Sequence, residues 1–213
     1  MEDLKMLINS LKVGPISANC YIIGDSESKD GAIIDPGDEF ERILKIVRDT
    51  DLTIKYIIGT HGHFDHIGAV GPLKEILNST FLLHKKDNFL IKTGPQLALS
   101  WGLQIPPIPD IDKFIEQDDT ISLGKYMLQF IHTPGHTPGG ICIYIKSENI
   151  LFSGDTLFCG SVGRTDFEGG SMEELLTSIK TKLFTLPEDT VVYTGHEQKT
   201  SIGYEKKNNF FIR

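Results

Sequence analysis

Residues 60–66 read T-H-G-H-F-D-H, with His61, His63, Asp65 and His66 as potential metal ligands. Imidazole nitrogen suits Zn, Fe and related ions, and a carboxylate can join it. The spacing says more than the count. His61 and His63 are two apart, so an extended or looped backbone points them the same way. Asp65 and His66 are neighbours, and neighbouring side chains in such a loop diverge. One ion can hardly take all four, so two metal sites are expected. The spacing is not H-E-x-x-H, in which two ligands share a helix face.

A histidine-rich surface loop would look the same in isolation, but further ligand types follow in similar settings. Residues 133–140 read T-P-G-H-T-P-G-G, where two Pro-Gly steps fix a tight loop around His136. Residues 152–156 read F-S-G-D-T and place Asp155 directly after an apolar run. Residues 192–197 read V-Y-T-G-H-E, so His196 also follows an apolar run and a glycine. Each signal alone is weak, because a lone His after a strand is more often structural. Together they supply five histidines and two aspartates, enough for two metals. Ends of strands on a rigid sheet are good places to fix ligand geometry.

The elements that must hold these residues read as follows. Strands are expected at Met6–Val13, Asn19–Gly24, Gly31–Asp35, Ile54–Ile58 and Thr80–His84. Later strands are expected at Thr120–Leu123, Tyr126–His132, Gly140–Ile145, Ile150–Ser153 and, last, Val191–Thr194. Asp38 and Glu41 form a capping box for a helix that puts Phe40, Ile43, Leu44 and Val47 on one face. Ile67–Leu77 reads as a helix despite Gly71-Pro72, and Ser171 with Glu174 caps the last clear helix. Residues 94–118 carry prolines 95, 106, 107 and 109 and the lone Trp101. They read as an irregular or partly helical insert, either a lid over a pocket or a packing segment. The order suggests two similar β-rich halves packed face to face with helices outside.

Composition bounds the function. At 213 residues the chain suits one large domain or two small ones. The net charge of -8, with no long basic stretch, disfavours grip on a phosphate backbone, so no nucleic-acid partner is expected. Met1–Ile8 lacks the apolar core of a signal peptide, and no apolar run approaches membrane-spanning length. Cys20, Cys142 and Cys159 are an odd, widely spaced set that fits free thiols in a reducing cytosol, so a cytoplasmic protein is expected.

The H-x-H-x-D-H motif, T-P-G-H-T, S-G-D-T and G-H-E together resemble the metallo-β-lactamase superfamily, over residues 60–196. T-P-G-H-T-P-G, G-D-T-L-F and G-R-T-D-F at 163–167 are similar to its glyoxalase II branch, the hydroxyacylglutathione hydrolases. The resemblance implies an α/β (α+β) fold, a four-layer αβ/βα sandwich of two mixed sheets, as a single domain over residues 1–213. It implies His61, His63 and His136 on one metal, Asp65, His66 and His196 on the other, and Asp155 bridging both. Asp65 and Asp155 are then the catalytic carboxylates. Two divalent transition metal ions are implied, zinc first, with iron or manganese as alternatives.

The implied activity is hydrolysis of a small thioester, such as a hydroxyacylglutathione, by a metal-bridging hydroxide. Two ions roughly 3.5–4 Å apart can hold such a nucleophile and polarise a carbonyl. The thiolate leaves without a strong general acid, and no G-x-S-x-G elbow is present. A mononuclear iron persulfide dioxygenase of the same fold is the main alternative, and a lactone or other ester hydrolase a further one. The expected partner is a small molecule, and the expected state a monomer or small homo-oligomer.

Glyoxalase II proper carries a helical extension with basic residues that hold glutathione. Only 17 residues follow His196 here, so that site does not carry over intact. Lys206 and Lys207 are candidates for an acidic substrate group, though a solvated tail is the preferred reading. His84 and His132 are expected to be structural or to support ligands, Arg164 and Asp166 to pair near the pocket floor. Cys142 is expected in the core, and Cys159 could face the pocket.

Overall fold

The computed structural model describes residues 6–212. Residues 1–5, part of the Met1–Ile8 stretch expected to lack a signal-peptide core, lie outside the described residues. The first sheet runs β1 (Leu7–Val13), β2 (Ala18–Gly24), β3 (Asp30–Ile34), β4 (Thr53–Ile58), β5 (Thr80–His84) and β6 (Lys113–Ile115), paired in that order. β1 to β3 are antiparallel, and β3 to β6 are parallel. The second half contains β7 (Thr120–Leu123), β8 (Tyr126–His132), β9 (Ile141–Ile145) and β10 (Ile150–Gly154). A short hairpin, β11 (Leu157–Phe158) and β12 (Ser161–Val162), follows, and then β13 (Val191–Thr194) and β14 (Thr200–Ser201). The second sheet is ordered β14-β13-β10-β9-β8-β7, with β10 and β13 parallel.

The helices are α1 (Phe40–Thr50), α2 (Phe64–Ile67), α3 (Val70–Leu77), α4 (Asn88–Ser100), α5 (Met172–Thr181) and α6 (Ile202–Asn208). Alternation along the strands makes three apolar layers. Cys20, Ile22, Ile33 and Ile57 pack outward against Ile43 and Val47 of α1 and Val70 and Leu73 of α3. Tyr21, Ile23, Ile34 and Ile58 point inward and meet Leu128, Phe130, Ile143 and Phe152 of the second sheet. Cys142, Leu151 and Val192 cover α5 through Leu175 and Ile179, and α6 through Ile202. Strands buried on both faces read as continuous apolar runs, and this is why β2 is buried along its whole length. The result is the four-layer sandwich.

Several local expectations are corrected. Asp38 does not cap α1. The helix starts after Glu39, which has left-handed backbone (φ 54°) and no side-chain cap bond. The Glu39 carboxylate is engaged elsewhere, accepting from Gly14 N at 3.1 Å and from Arg42 at 2.6 Å. The helix expected over Ile67–Leu77 is two helices, α2 and α3, with Pro72 in the first turn of α3, where its missing N–H costs nothing. Ala69 N donates to Pro36 O at the break. Ser171 does cap α5, accepting from Glu174 N at 3.3 Å. The 94–118 stretch holds the end of α4, an irregular run and the edge strand β6. Val191–Thr194 is not the last strand, since β14 and α6 follow, with Ser201 accepting from Tyr204 N.

Candidate metal centre

The T-H-G-H-F-D-H stretch begins where β4 ends. His63 has extended backbone and sits at the N-cap of α2, so Asp65 and His66 belong to a short helix and not to the loop. This changes their relation. Asp65 Oδ2 and His66 Nε2 converge at 3.6 Å and do not diverge. His61 and His63 face one another edge-on, with ring centroids 4.7 Å apart.

The second sheet contributes the other three residues from the ends of its strands. His136 lies in the turn between β8 and β9, tied by Gly135 N donating to Thr137 O at 3.1 Å. Asp155 follows β10, and His196 follows β13. Gly195 N donates to Gly154 O at 2.8 Å, which sets these two ends side by side. Only glycine fits at 195, because a Cβ there would lie 2.1 Å from Asp155 Oδ1. Asn19 N of β2 donates to Gly195 O at 2.7 Å, anchoring the His196 turn to the opposite sheet.

All seven sequence-predicted ligands therefore meet at one edge of the sandwich. His136 Nε2 is 3.3 Å from His61 Nε2 and 3.0 Å from His63 Nδ1. His196 Nε2 is 3.2 Å from His66 Nε2 and 3.5 Å from Asp65 Oδ2. Tetrahedral zinc with 2.0–2.1 Å bonds separates adjacent nitrogens by about 3.3 Å. Asp155 lies between the two sets, 3.5 Å from His66 and His136 and 3.6 Å from His196. Its Oδ1 is buried with no hydrogen-bond partner, a costly state for a carboxylate oxygen unless a cation faces it. The donor set and this orphan oxygen fit two transition-metal ions.

The electrostatics point the same way. Burial, reinforced by the neighbouring imidazoles, holds His61 well below its ordinary pKa and lowers His63 to about 3. Their rings stay neutral, as ligands must. Burial also acts to lower His66, but Asp155, Asp65 and Asp35 override it and push the ring up to about 10. Burial acts to raise Asp65, yet His66 and His196 hold it below the usual carboxylate range. Three carboxylates around one imidazole call for positive charge at that spot, which a dication supplies.

Three supporting residues escaped the sequence reading. Asp35, fully buried at the end of β3, lies with Oδ2 3.0 Å from His66 Nδ1. The same oxygen accepts from Thr60 Oγ1 at 2.8 Å, and Thr60 Oγ1 lies 3.2 Å from His61 Nδ1. One carboxylate thus orients a histidine of each set. Asp87, also fully buried, accepts from Gly62 N, Gly139 N and Thr137 Oγ1 at 2.9, 2.6 and 2.7 Å. It ties the loop of His63 to the loop of His136. Asp35 follows an apolar strand, as Asp155 does, and that pattern could have found it.

Other singled-out residues fall where their chemistry allows. The Arg164 guanidinium pairs with Asp166 through two bonds of 2.6 and 2.5 Å, and its carbonyl accepts from His136 Nδ1 at 2.7 Å. His84 and His132 stack at 4.2 Å, and His132 Nε2 donates to Pro138 O at 2.9 Å. Cys142 is in the core. Cys159 does not face the metal cleft; it lies beside Gln198 and Tyr204. Lys207 pairs with Glu188 at 3.2 Å and does not line the cleft. No described helix is long and apolar enough to cross a membrane.

The family model "Metallo-beta-lactamase superfamily" matches residues 13–196. The chain is 38% identical to hydroxyacylglutathione hydrolase GloC of Haemophilus influenzae, over 97% of this chain and 98% of that one. It is 33% identical to the mitochondrial persulfide dioxygenase ETHE1 of Bos taurus, over 83% of this chain and 63% of that one. Among solved structures it is similar to BLEG-1 B3 metallo-beta-lactamase, with TM-score 0.90, 34% identity, and 97% and 99% of the two chains covered. It is also similar to TTHA1623 in a di-iron-bound form, with TM-score 0.88, 38% identity, and coverage of 95% and 99%.

Proposed function

The chain belongs to the metallo-beta-lactamase superfamily, and on that premise we propose that it is a dinuclear metal-dependent hydrolase of small thioesters. One observation carries the reading: His61, His63 and His136 form one ligand group and Asp65, His66 and His196 another, with Asp155 within 3.6 Å of both and its buried Oδ1 without a hydrogen-bond partner. In this reading His61, His63 and His136 hold one ion, and Asp65, His66 and His196 the other. When bound, the ions supply Lewis acidity and water of lowered pKa, giving a nucleophile near neutral pH. The resemblance to a hydroxyacylglutathione hydrolase supports the thioester assignment. Zinc is the first candidate, with iron or manganese next, and a di-iron relative supports iron.

The protein's own residues do the positioning. Asp155 holds the two sets in register from between them. Asp35 accepts a hydrogen bond from His66 Nδ1 and so leaves Nε2 free to face the metal. The Arg164 carbonyl does the same for His136. Phe167 stands edge-on to His63 and Phe158 edge-on to His196, which gives each ligand set an aromatic flank. A thiolate leaving group needs no strong proton donor.

A second reading has its own observation. His61, His66 and Asp155 form a two-histidine, one-carboxylate group, the ligand type of oxygen-using iron centres. Metal analysis of protein purified without chelator, joined to assays on S-lactoylglutathione and glutathione persulfide, separates the two. Two metals per chain with thioester cleavage are expected. A single iron, no thioester cleavage and oxygen uptake on the persulfide would overturn the proposal in favour of a dioxygenase.

A further inference from the structure

The cleft above the ligands encloses about 360 Å³, a size that suits a small organic substrate. Above a floor of metal ligands, much of its wall is aromatic and aliphatic. Phe167 meets His63 edge-on at 5.3 Å, and Phe158 meets His196 edge-on at 6.1 Å, so one aromatic ring flanks each ligand set. Leu97, Phe64 and Val162 continue the wall. Trp101, at the end of α4, reaches the rim, 49% exposed and 6.1 Å from the Phe64 ring.

The cleft offers little to a substrate carboxylate. Arg164 is the one Lys or Arg among its described lining residues. Its Nε–Nη2 edge is taken by Asp166, and its guanidinium carbon lies 4.2 Å from the Phe167 ring centroid. Glu197 adds a negative group to the lining. A net-anionic glutathione conjugate therefore meets a carboxylate and a paired arginine. A neutral thioester with an apolar acyl chain meets aromatic and aliphatic surface.

We propose that this site selects thioesters by burying an apolar acyl group against Phe158, Phe167, Leu97 and Trp101, and takes neutral substrates in preference to glutathione conjugates. The proposal rests on the thioester reading above. Burial of a methylene is worth about fourfold in binding. Where that binding is retained in the transition state, kcat/KM rises by about the same factor per methylene until the chain reaches the rim.

The test uses metal-loaded protein and N-acetylcysteamine thioesters from acetyl to hexanoyl, beside S-lactoylglutathione. A rise of about fourfold per methylene is expected, with hexanoyl well above S-lactoylglutathione. Trp101→Ala should flatten the slope. Asp166→Asn should free Arg164 and raise turnover of S-lactoylglutathione relative to the neutral series. A second readout needs no turnover. Trp101 is the lone tryptophan, so its fluorescence should shift to the blue as a non-hydrolysable S-hexyl thioether binds metal-free protein. A flat or falling chain-length series, a preference for S-lactoylglutathione over butanoyl, or an unmoved Trp101 signal overturns the inference and leaves the thioester reading standing. No turnover of any thioester overturns both.

Discussion

Replacing Asp35 by asparagine is expected to weaken metal binding without unfolding the chain. Asp35 accepts three hydrogen bonds, from Thr60 N at 2.7 Å, Thr60 Oγ1 at 2.8 Å and His66 Nδ1 at 3.0 Å. The amide oxygen can keep Thr60 N. Its NH2 then faces His66 Nδ1 and favours the tautomer with the proton on Nε2, the atom that faces the second ligand set. The same logic makes Asp→Asn damaging in serine-protease triads. Outer partners of ligating histidines are worth about 10–100-fold in metal affinity, or about 1.4–2.8 kcal/mol. Asp35 has φ 53°, a left-handed conformation that asparagine tolerates, so backbone strain does not confuse the result. Chelator competition for each ion is the assay, with thermal melting of metal-free protein as the fold control. The Asp65-His66-His196 ion should suffer most. The His61 ion should weaken less, since it is reached only through Thr60. Unchanged affinity at both ions in a folded variant would refute the reasoning.

Asp155→Ala should cost more than that 10–100-fold, with loss of at least one ion by elemental analysis and of turnover by thioester assay. Asp87→Asn cannot keep all three acceptor bonds, so about 1–3 kcal/mol of stability is expected to go. Calorimetry should then show Tm lowered by about 2–12 °C for a chain of this size. His84 makes a pH prediction. Burial and the stacked His132 lower it from 6.5 to about 4. Above pH 6.5 both folded and unfolded states are neutral and nothing is contributed. Between 6.5 and 4 only the unfolded chain takes the proton, so stability falls as pH falls. The loss is at most about 1.2 kcal/mol between pH 7 and 5.5. His84→Gln should remove that part of the acid sensitivity in denaturant titrations while keeping metal and most activity.

The ligands were legible because each group of them follows an apolar strand: β4 before the His61–His66 stretch, β8 before His136, β10 before Asp155 and β13 before His196. Alternation and apolar runs likewise gave most strands to within a residue or two, since the sandwich buries their faces fully. What the sequence hid is non-local. Asp87 serves Gly62 and Gly139, residues 25 and 52 positions away, and no local pattern reports that. The hairpin of β11 and β12 has strands of two residues, too short to show a period. Asp65 and His66 looked divergent because their run was read as loop. The turn that starts at His63 makes them helical, and the reach of the His66 ring brings its Nε2 back toward Asp65. Asp38 looked like a cap because Glu41 stands three residues on, but its Oδ1 accepts from the adjacent Glu39 N and the helix starts one residue later.

The centre draws His61, His63, Asp65 and His66 from one sheet and His136, Asp155 and His196 from the other, across the inter-sheet layer. Neither half can build it alone. During folding, the complete ligand sets form only once the two sheets have docked, so tight ion capture reports that docking. With ions bound, the seam between sheets gains stability from free metal, about 2.7 kcal/mol at a hundredfold excess over Kd. A chelator then acts as a denaturant aimed at that one seam.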